Sequence, residues 1–333
     1  MCSCYRHVAR SVERRVEDPA GFWLPGGKLM LHFRSFILVL TLAFGAPALA
    51  QAPQPNPLAT ELKLKLAKHL QQMAADFDGT MGIAVKDLGT SETFFANADT
   101  VFPQASAIKI PILLELFRQA QEGQLNLDHR VDVKKAQMAA GSGVLQRFSD
   151  GGSALSFRDL AVLMIVLSDN TATNILIERV GMHNVNENLR RLGLTQTRLQ
   201  RIMLDVEAQR ASRENLSTPR EMVLLLEMLD AGKALDPKHT QAALEILKYQ
   251  KNTALRRGLP ANVQLASKPG GLEGVACESG IVYLPGKPYV ISVMTTYDKD
   301  TDAAEKAITE ISRRVFDYFE RLARSNSLGA RLP

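Results

Sequence analysis

The stretch FPQASAIKIPILLELF, residues 102–117, is the starting point for interpreting this chain. It predicts the end of a strand or loop, then Ser106, then the first turn of a hydrophobic helix that carries Lys109. Because residues three apart share one face of a helix, the Lys109 amine is expected within hydrogen-bond reach of the Ser106 hydroxyl. An amine in that position can activate the hydroxyl as a nucleophile. Free N–H groups at the helix start would favour negative charge developing nearby.

The composition is that of a folded globular protein of one or two domains. The chain has 333 residues, of which 46% are apolar. Its net charge of +5 falls to +2 without residues 1–50, which contain six of the 40 basic and three of the 35 acidic residues. No basic run or basic–aromatic stripe is present, so nucleic acid is not expected as a partner. Beyond residue 50 the sequence contains one cysteine, Cys277, so no internal disulfide is expected.

Residues 30–50 have the pattern of a secretory signal peptide. A basic start precedes the apolar run 36–44, and an Ala-x-Ala sequence ends at Ala50, where cleavage is expected. The apolar run is well short of the roughly 20 residues that a membrane span needs. We therefore expect a periplasmic or secreted protein without a stable membrane span.

The segments on either side of this peptide have no pattern of a folded domain. Residues 1–29 fit no part of a signal peptide, and we interpret Met30 as the true start and 1–29 as an artefactual extension. Residues 51–57 are polar and rich in proline, which indicates a linker. The folded domain is predicted to cover residues 58–325.

Strand patterns occur near both ends of this domain, and helical patterns fill the middle. The predicted strands are 80–87, 92–96, 263–268, 278–284 and 289–297. Helical periodicity predicts a first helix over 60–76 and a last one over 302–322. This order predicts an α/β layer with an all-helical subdomain inserted at about 106–232. Within that subdomain, the long polar connection 194–216 is typical of a loop that is either functional or disordered.

Three short motifs occur in order along the domain: Ser-x-x-Lys at 106–109, Ser-Asp-Asn at 168–170 and Lys-Pro-Gly at 268–270. Taken alone, each motif has a purely structural explanation. The first is explained as a pair of surface residues, the second as a helix cap and the third as a lysine at the end of a strand. Together they resemble the motifs of the penicillin-recognising serine hydrolases, most closely class A β-lactamases, which have S-x-x-K, S-D-N and K-[ST]-G. The resemblance implies a five-stranded antiparallel sheet flanked by N- and C-terminal helices.

The resemblance also implies a role for each matching residue. Ser106 would be the acylated nucleophile, Lys109 its proton acceptor or relay, and Ser168 the proton donor to the leaving nitrogen. The backbone N–H groups of Ser106 and Gly271 would form the oxyanion hole. The implied substrate-binding residues are Asn170, Lys268, Gly270 and Gly271.

Two departures from the family pattern affect the expected chemistry. Pro269 stands where the family has Ser or Thr, and proline offers neither a hydroxyl nor an N–H to a substrate carboxylate. Met203 stands at the ungapped position of the glutamate that activates the deacylating water, and methionine cannot act as a base. Asp205 and Glu207 are possible substitutes, although both are also explained as solvated loop acids. Acylation is therefore expected to be intact and deacylation to be impaired.

The leading hypothesis is a monomeric serine hydrolase that opens β-lactams or related amides without a metal or other cofactor. Arg256 and Arg257, just before the third motif, could partly replace the lost carboxylate contact. A peptidoglycan D,D-peptidase or penicillin-binding protein, or another hydrolase on this scaffold, is the alternative enzyme. The alternative from another class is an inactive module that binds a cell-wall peptide.

Overall fold

The computed structural model of the protein describes residues 56–332. The predicted signal peptide, the extension before it and residues 51–55 of the predicted linker lie outside the described residues. In the described part of the chain, no helix combines the length and the apolar character needed to cross a membrane.

The described residues contain a large antiparallel sheet and two short strand pairs. The strands are β1 (Thr80–Asp87), β2 (Thr93–Ala96), β3 (Phe102–Pro103), β4 (Arg130–Asp132), β5 (Ala154–Ser156), β6 (Leu216–Ser217), β7 (Gln264–Leu272), β8 (Val275–Tyr283) and β9 (Tyr289–Thr296). Five of them form one sheet in the order β2-β1-β9-β8-β7, with every neighbouring pair antiparallel. The predicted five-stranded antiparallel sheet is confirmed.

Helices cover both faces of this sheet. They are α1 (Pro57–Asp76), α2 (Lys109–Gln121), α3 (Phe157–Val166), α4 (Asn170–Val180), α5 (Met182–Arg191), α6 (Val206–Arg210), α7 (Pro219–Asp230), α8 (Pro237–Lys248), α9 (Ala254–Arg257) and α10 (Thr301–Ala323). The inserted region is mainly but not entirely helical, because it contains the short pair β4–β5 and the strand β6, which pairs with β3 just before the region begins. The α/β architecture predicted from the sequence is confirmed.

The first and last helices, α1 and α10, share one face of the sheet. They enclose an apolar core with β1, β8 and β9, in which the Tyr289 and Phe319 rings stack with centroids 4.6 Å apart. The middle strand β9 is buried over seven of its eight residues. A strand that is buried on both faces has a nearly continuous run of apolar residues. Helices on both faces of the sheet explain why β9 is buried along almost its whole length.

The other face carries the inserted helices, with α2 at their centre. Ten of the 13 residues of α2 are buried, whereas five of the ten residues of α3 are buried. The more apolar α3 is therefore less buried than α2. The polar residues Lys109, Glu115 and Gln119 are buried in α2 because each finds hydrogen-bond partners inside the fold.

Two element boundaries differ from the sequence-based expectation. Helix α1 begins at Pro57 rather than Thr60, since Asn56 caps it and proline is favoured in a first helical turn. Strand β7 continues through Pro269 to Leu272, so Lys268 lies within the strand rather than at its end. The sheet accepts a proline here because β7 is an edge strand.

Candidate active site

Ser106 lies in a tight turn between the sheet and α2. A 3-10 turn, Ala105–Ile108, precedes α2, and Ala105 has a positive φ of 44°. Positive φ is uncommon for a residue with a side chain, and such strain is concentrated at functional sites. Ser106 is half-buried in this turn, whereas its neighbours Ala105 and Ala107 are buried. The turn therefore presents the Ser106 side chain at the surface of a cavity.

Lys109 is fully buried one turn later and makes three hydrogen bonds. Its Nζ donates to the Ser168 carbonyl at 2.8 Å, to Ser168 Oγ at 3.0 Å and to Asn170 Oδ1 at 3.1 Å. Among the hydrogen bonds of the described residues, none joins Lys109 Nζ to Ser106 Oγ, so the expected direct bond is not present. A buried amine requires several acceptors, and the segment at 168–170 supplies three at once.

Burial changes the acid–base character of Lys109. Loss of hydration, together with the nearby positive charge of Lys268, lowers the Lys109 pKa to about 6, against a smaller opposing effect of Asp169. The amine therefore loses its proton far more readily than an ordinary lysine. Once uncharged it has two N–H donors, so its contact with Ser168 Oγ is then one in which the hydroxyl donates to the amine. In that state the amine can accept a proton. This is the property that a general base near a serine nucleophile needs.

The Ser-Asp-Asn motif joins three parts of the inserted region. Asp169 Oδ1 accepts the N–H of Ala172 and so caps α4. Its Oδ2 accepts the N–H groups of Val144 and Leu145, at 2.7 and 2.9 Å. Ser168 has a positive φ of 53° and is half-buried. The capping explanation for Asp169 is correct, and the same contacts hold Ser168 beside the lysines.

Lys268 approaches the same hydroxyl from the sheet. Its Nζ donates to Ser168 Oγ at 3.1 Å and to the Pro269 carbonyl at 2.9 Å. Burial, followed by the repulsion of Lys251, lowers the pKa of Lys268 to about 7. Ser168 Oγ therefore lies between two buried amines, one from α2 and one from β7.

The two glycines of β7 differ in how tightly they are packed. A Cβ on Gly270 would lie 2.6 Å from the Gln104 carbonyl oxygen and 2.8 Å from the Ala107 nitrogen, so the Ser106 turn needs glycine at this position. A Cβ on Gly271 would come no closer than 3.8 Å to its nearest neighbour. Gly271 thus leaves its backbone accessible beside Ser106.

One cavity of about 290 Å³ brings these groups together. Its lining residues from the three motifs are Ser106, Ser168, Lys268, Pro269 and Gly270, and the adjacent Gly271 also lines it. Lys109 is joined to this cavity through its hydrogen bond with Ser168 Oγ, and Asn170 is joined to Lys109 in turn. The structure therefore assembles all the predicted catalytic and substrate-binding residues at one place.

The connection at 194–216 is a closed loop beside the site. Arg201 donates to Glu214 Oε2 through Nε at 3.0 Å and Nη2 at 2.8 Å, which links the two ends of the loop. Asn174 of α4 holds the backbone of Met203, and the Met203 side chain is buried in the core. A Cβ on Gly141 would lie 3.5 Å from Leu204 Cδ1 and 3.1 Å from Asn170 Nδ2. The loop therefore approaches Asn170 through Leu204.

The two loop acids proposed as deacylation bases are placed differently from the motif residues. Asp205 caps the short helix α6 by accepting the N–H of Ala208 at 2.9 Å. Glu207 is exposed on α6. Neither is among the residues that line the 290 Å³ cavity. A role for either as a base stays a prediction.

Other cavity residues belong to no motif and were missed by the sequence analysis. They include Ser142, Asn252, Thr253, Glu278, Thr301 and Glu305. Of the two arginines considered, Arg257 lines the cavity, whereas the guanidinium of Arg256 donates to the carbonyls of Pro260 and Val263. Among residues 56–332, no group of three His, Cys, Asp or Glu side chains is placed to hold a metal ion.

Comparison with known proteins is consistent with this geometry. A family model described as the Beta-lactamase enzyme family matches residues 65–319. Beta-lactamase SME-1 of Serratia marcescens is 27% identical over 256 residues, which cover 74% of this chain and 86% of that protein. A β-lactamase structure from Sphaerobacter thermophilus has a TM-score of 0.71 and 33% identity, covering 77% of this chain and 97% of that one.

A protein called PBP-A has the same fold. Its structure has a TM-score of 0.72 and 30% identity, and the alignment covers 77% of this chain and 96% of PBP-A. A mutant of PBP-A was solved as an acyl-enzyme complex with penicillin G, with a TM-score of 0.71 and 30% identity, covering 77% of this chain and 97% of that one.

Proposed function

The chain belongs to the Beta-lactamase enzyme family and is a class A β-lactamase-like serine hydrolase, and we propose that it opens β-lactams or related amides through an acyl intermediate on Ser106. The observation that carries this proposal is the position of Ser168 Oγ, 3.0 Å from Lys109 Nζ and 3.1 Å from Lys268 Nζ. Ser106 and Ser168 line the same cavity, so a substrate bound there meets both hydroxyls.

In the proposed acylation, Ser106 Oγ bonds to the carbonyl carbon of the amide and the carbon–nitrogen bond breaks. Uncharged Lys109 takes up the proton that Ser106 loses, and Ser168 delivers a proton to the departing nitrogen. Ser168 is resupplied through its hydrogen bond with Lys109. The N–H groups of Ser106 and Gly271 stabilise the oxyanion.

We further propose that hydrolysis of the acyl-enzyme is much slower than its formation. Met203 stands at the nearest ungapped position to the family's glutamate, and its side chain is buried in the apolar core. Asp205 is engaged in capping α6, and Glu207 is exposed. No carboxylate of the 194–216 loop lines the cavity in the described residues, so activation of the attacking water is expected to be weak.

Intact-protein mass spectrometry after mixing with penicillin G tests both proposals. We expect a covalent adduct that forms rapidly and persists, and that Ser106→Ala abolishes. Met203→Glu is expected to shorten the lifetime of the adduct at least tenfold, while Met138→Glu, outside this loop, leaves it unchanged. Rapid turnover by the unmodified protein would overturn the impaired deacylation, and no adduct would overturn the acyl-Ser106 mechanism for β-lactams.

The similarity to PBP-A and the methionine at position 203 favour one alternative, a peptidoglycan D,D-peptidase. Such an enzyme would form the same acyl-Ser106 intermediate with a peptide ending in D-alanyl-D-alanine. Release of D-alanine from such a peptide, absent in Ser106→Ala, would support it. If a penicillin adduct forms but no D-alanine is released, the β-lactam assignment is retained.

We also propose that the enzyme is exported and acts in the periplasm or as a secreted protein. The support is the pattern of residues 30–50, a basic start, an apolar run and an Ala-x-Ala end. Amino-terminal sequencing of protein from a periplasmic fraction is expected to begin at Gln51. A peptide from residues 1–29 in the mature protein would contradict this.

A further inference from the structure

A second cavity, of about 240 Å³, is lined by residues from the end of α8, from α9 and from the first half of β7. Three of its side chains are cationic: Lys248, the last residue of α8, Lys251, which follows that helix, and Arg256 of α9. Of the described residues that line it, none is an aspartate or a glutamate. We name this space the Lys251 cavity.

The three cations of the Lys251 cavity have no carboxylate partner. No ion pair between the described residues includes Lys248, Lys251 or Arg256. Lys248 Nζ instead lies 4.2 Å from the centroid of the Tyr283 ring. Lys251 and Arg256 each donate to two backbone carbonyls. All three are half-buried, so their positive charges are only partly hydrated.

These side chains keep N–H groups that no described residue uses. A charged lysine has three N–H groups, and Lys251 uses two of them, at 2.8 and 2.7 Å. A guanidinium has five, and that of Arg256 makes two hydrogen bonds. Lys248 makes its contact with an aromatic ring and none with an oxygen of the described residues. An oxyanion in the cavity therefore finds free donors from three cations.

Glu278 is the carboxyl group that attracts these cations, and it lies behind the cavity wall. It is fully buried, and it accepts a hydrogen bond at 2.7 Å from the hydroxyl of Ser267, which lines the cavity. Burial raises the pKa of Glu278, which weakens its negative charge. Burial also lowers the pKa of Lys251 to about 8, and Glu278 opposes this only in part. An anion from solvent would compensate the buried positive charge more fully.

We propose that the Lys251 cavity is a binding site for a small oxyanion with the charge and size of inorganic phosphate. The observation that carries the proposal is the meeting of three cations without an ion-pair partner in one cavity without an acidic lining residue. The site is separate from the cavity at Ser106, since no residue lines both.

An anion in this site acts on the acylation site through Lys251, and this consequence rests on the proposed function. After burial, repulsion by Lys251 is the next cause that lowers the pKa of Lys268. A phosphate beside Lys251 offsets this repulsion, so the Lys268 amine keeps its proton to higher pH. The other charged or titratable groups around Lys268 are Lys109 on α2, Arg257 on α9, and Cys277 and Glu278 on β8. None of these lines the Lys251 cavity.

Isothermal titration calorimetry of the protein with inorganic phosphate tests the site, with sodium chloride at equal ionic strength as the reference. We expect saturable binding of one phosphate per chain. Lys248→Met and Lys251→Met are each expected to weaken it by about tenfold, because each removes a charged donor. Lys233→Met is the matched control, because Lys233 is exposed and lies outside the cavity. Lys248→Met removes no hydrogen bond to the backbone, so it decides the matter should Lys251→Met fail to fold.

The pH dependence of acylation by penicillin G, with and without saturating phosphate, tests the coupling. Phosphate is expected to move the alkaline side of the profile to higher pH in the unmodified protein and to leave it in place in Lys251→Met. No saturable binding, or binding that Lys248→Met and Lys251→Met leave unchanged, would overturn the site. Bound phosphate without a shift would overturn the coupling alone. Absence of any penicillin adduct would overturn the proposed function, while the calorimetry still decides the site.

Discussion

Lys109 Nζ lies 3.0 Å from Ser168 Oγ, and through this contact a helix of the inserted region is joined to a loop 59 residues away. The same amine also binds the Ser168 carbonyl and Asn170 Oδ1. The amine that we propose for proton transfer is therefore held by the second motif rather than by Ser106. Since Ser168 Oγ also accepts from Lys268, the charge states of the two amines are linked.

The first prediction concerns the dependence of acylation on pH. Lys109, with a pKa of about 6, must lose its proton to act as a base, so the rate should rise as pH increases through about 6. Lys268, with a pKa of about 7, supplies positive charge only when protonated, so the rate should fall above about 7. A narrow bell-shaped profile of adduct formation is expected. A rate that keeps rising to strongly alkaline pH would contradict this assignment.

The second prediction tests which amine determines the acidic side of the pH profile and which determines the alkaline side. Lys268→Met removes a positive charge that lowers the Lys109 pKa, so the acidic side should move to higher pH and acylation should slow. Lys251→Met is the control, because Lys251 lowers the pKa of Lys268 and is not among the causes of the Lys109 shift. It should move only the alkaline side, also to higher pH. An acidic side that stays in place in Lys268→Met would show that the two amines are not coupled.

The third prediction is a loss of stability when Asp169 is truncated. Its carboxylate accepts three backbone N–H groups in a buried position, and Asp169→Ala leaves all three without a partner. We expect the free energy of unfolding to fall by about 3 kcal/mol, as measured by denaturant titration. Asp169→Asn, which retains one acceptor oxygen, should lose less. The exposed Asp128, changed to Ala, should shift the value by no more than about 0.5 kcal/mol.

The fourth prediction is a gain of stability from removing an amide next to the Ser106 turn. Gln104 is fully buried, and neither side-chain polar atom makes a hydrogen bond with any group in the described residues. Gln104→Met keeps a similar volume and removes the unpaired amide, so the free energy of unfolding should rise by about 1 kcal/mol.

Gln119→Met provides the matched comparison for this change. Gln119 is also buried, but its Nε2 donates to Glu115 Oε1 at 2.7 Å and to the Val180 carbonyl at 2.8 Å. Its replacement should lower the free energy of unfolding by about 2 kcal/mol. Equal losses in the two variants would show that the Gln104 amide is hydrogen-bonded in solution.

Much of the fold and the motif part of the site could be predicted from the sequence, because the signals are local. Alternating and β-branched stretches mark the strands of the sheet, and the spacing of Ser106 and Lys109 places both at the start of a helix. The contact between Lys109 and Ser168 could not be predicted from that spacing. It depends on how α2 packs against the loop before α4, and the expected bond to Ser106 was wrong for this reason.

The sequence by itself determined the five strands of the large sheet, the first and last helices and the set of residues able to carry out acyl transfer. Only the tertiary structure decided the surroundings of those residues: Glu278 opposite Pro269, Arg257 in the cavity with Arg256 turned away, and Asp205 used as a helix cap. The physical reason is that hydration, charge and hydrogen bonding at a side chain depend on atoms distant in the chain. These atoms come together when β7, β8, α9 and α10 pack around one cavity.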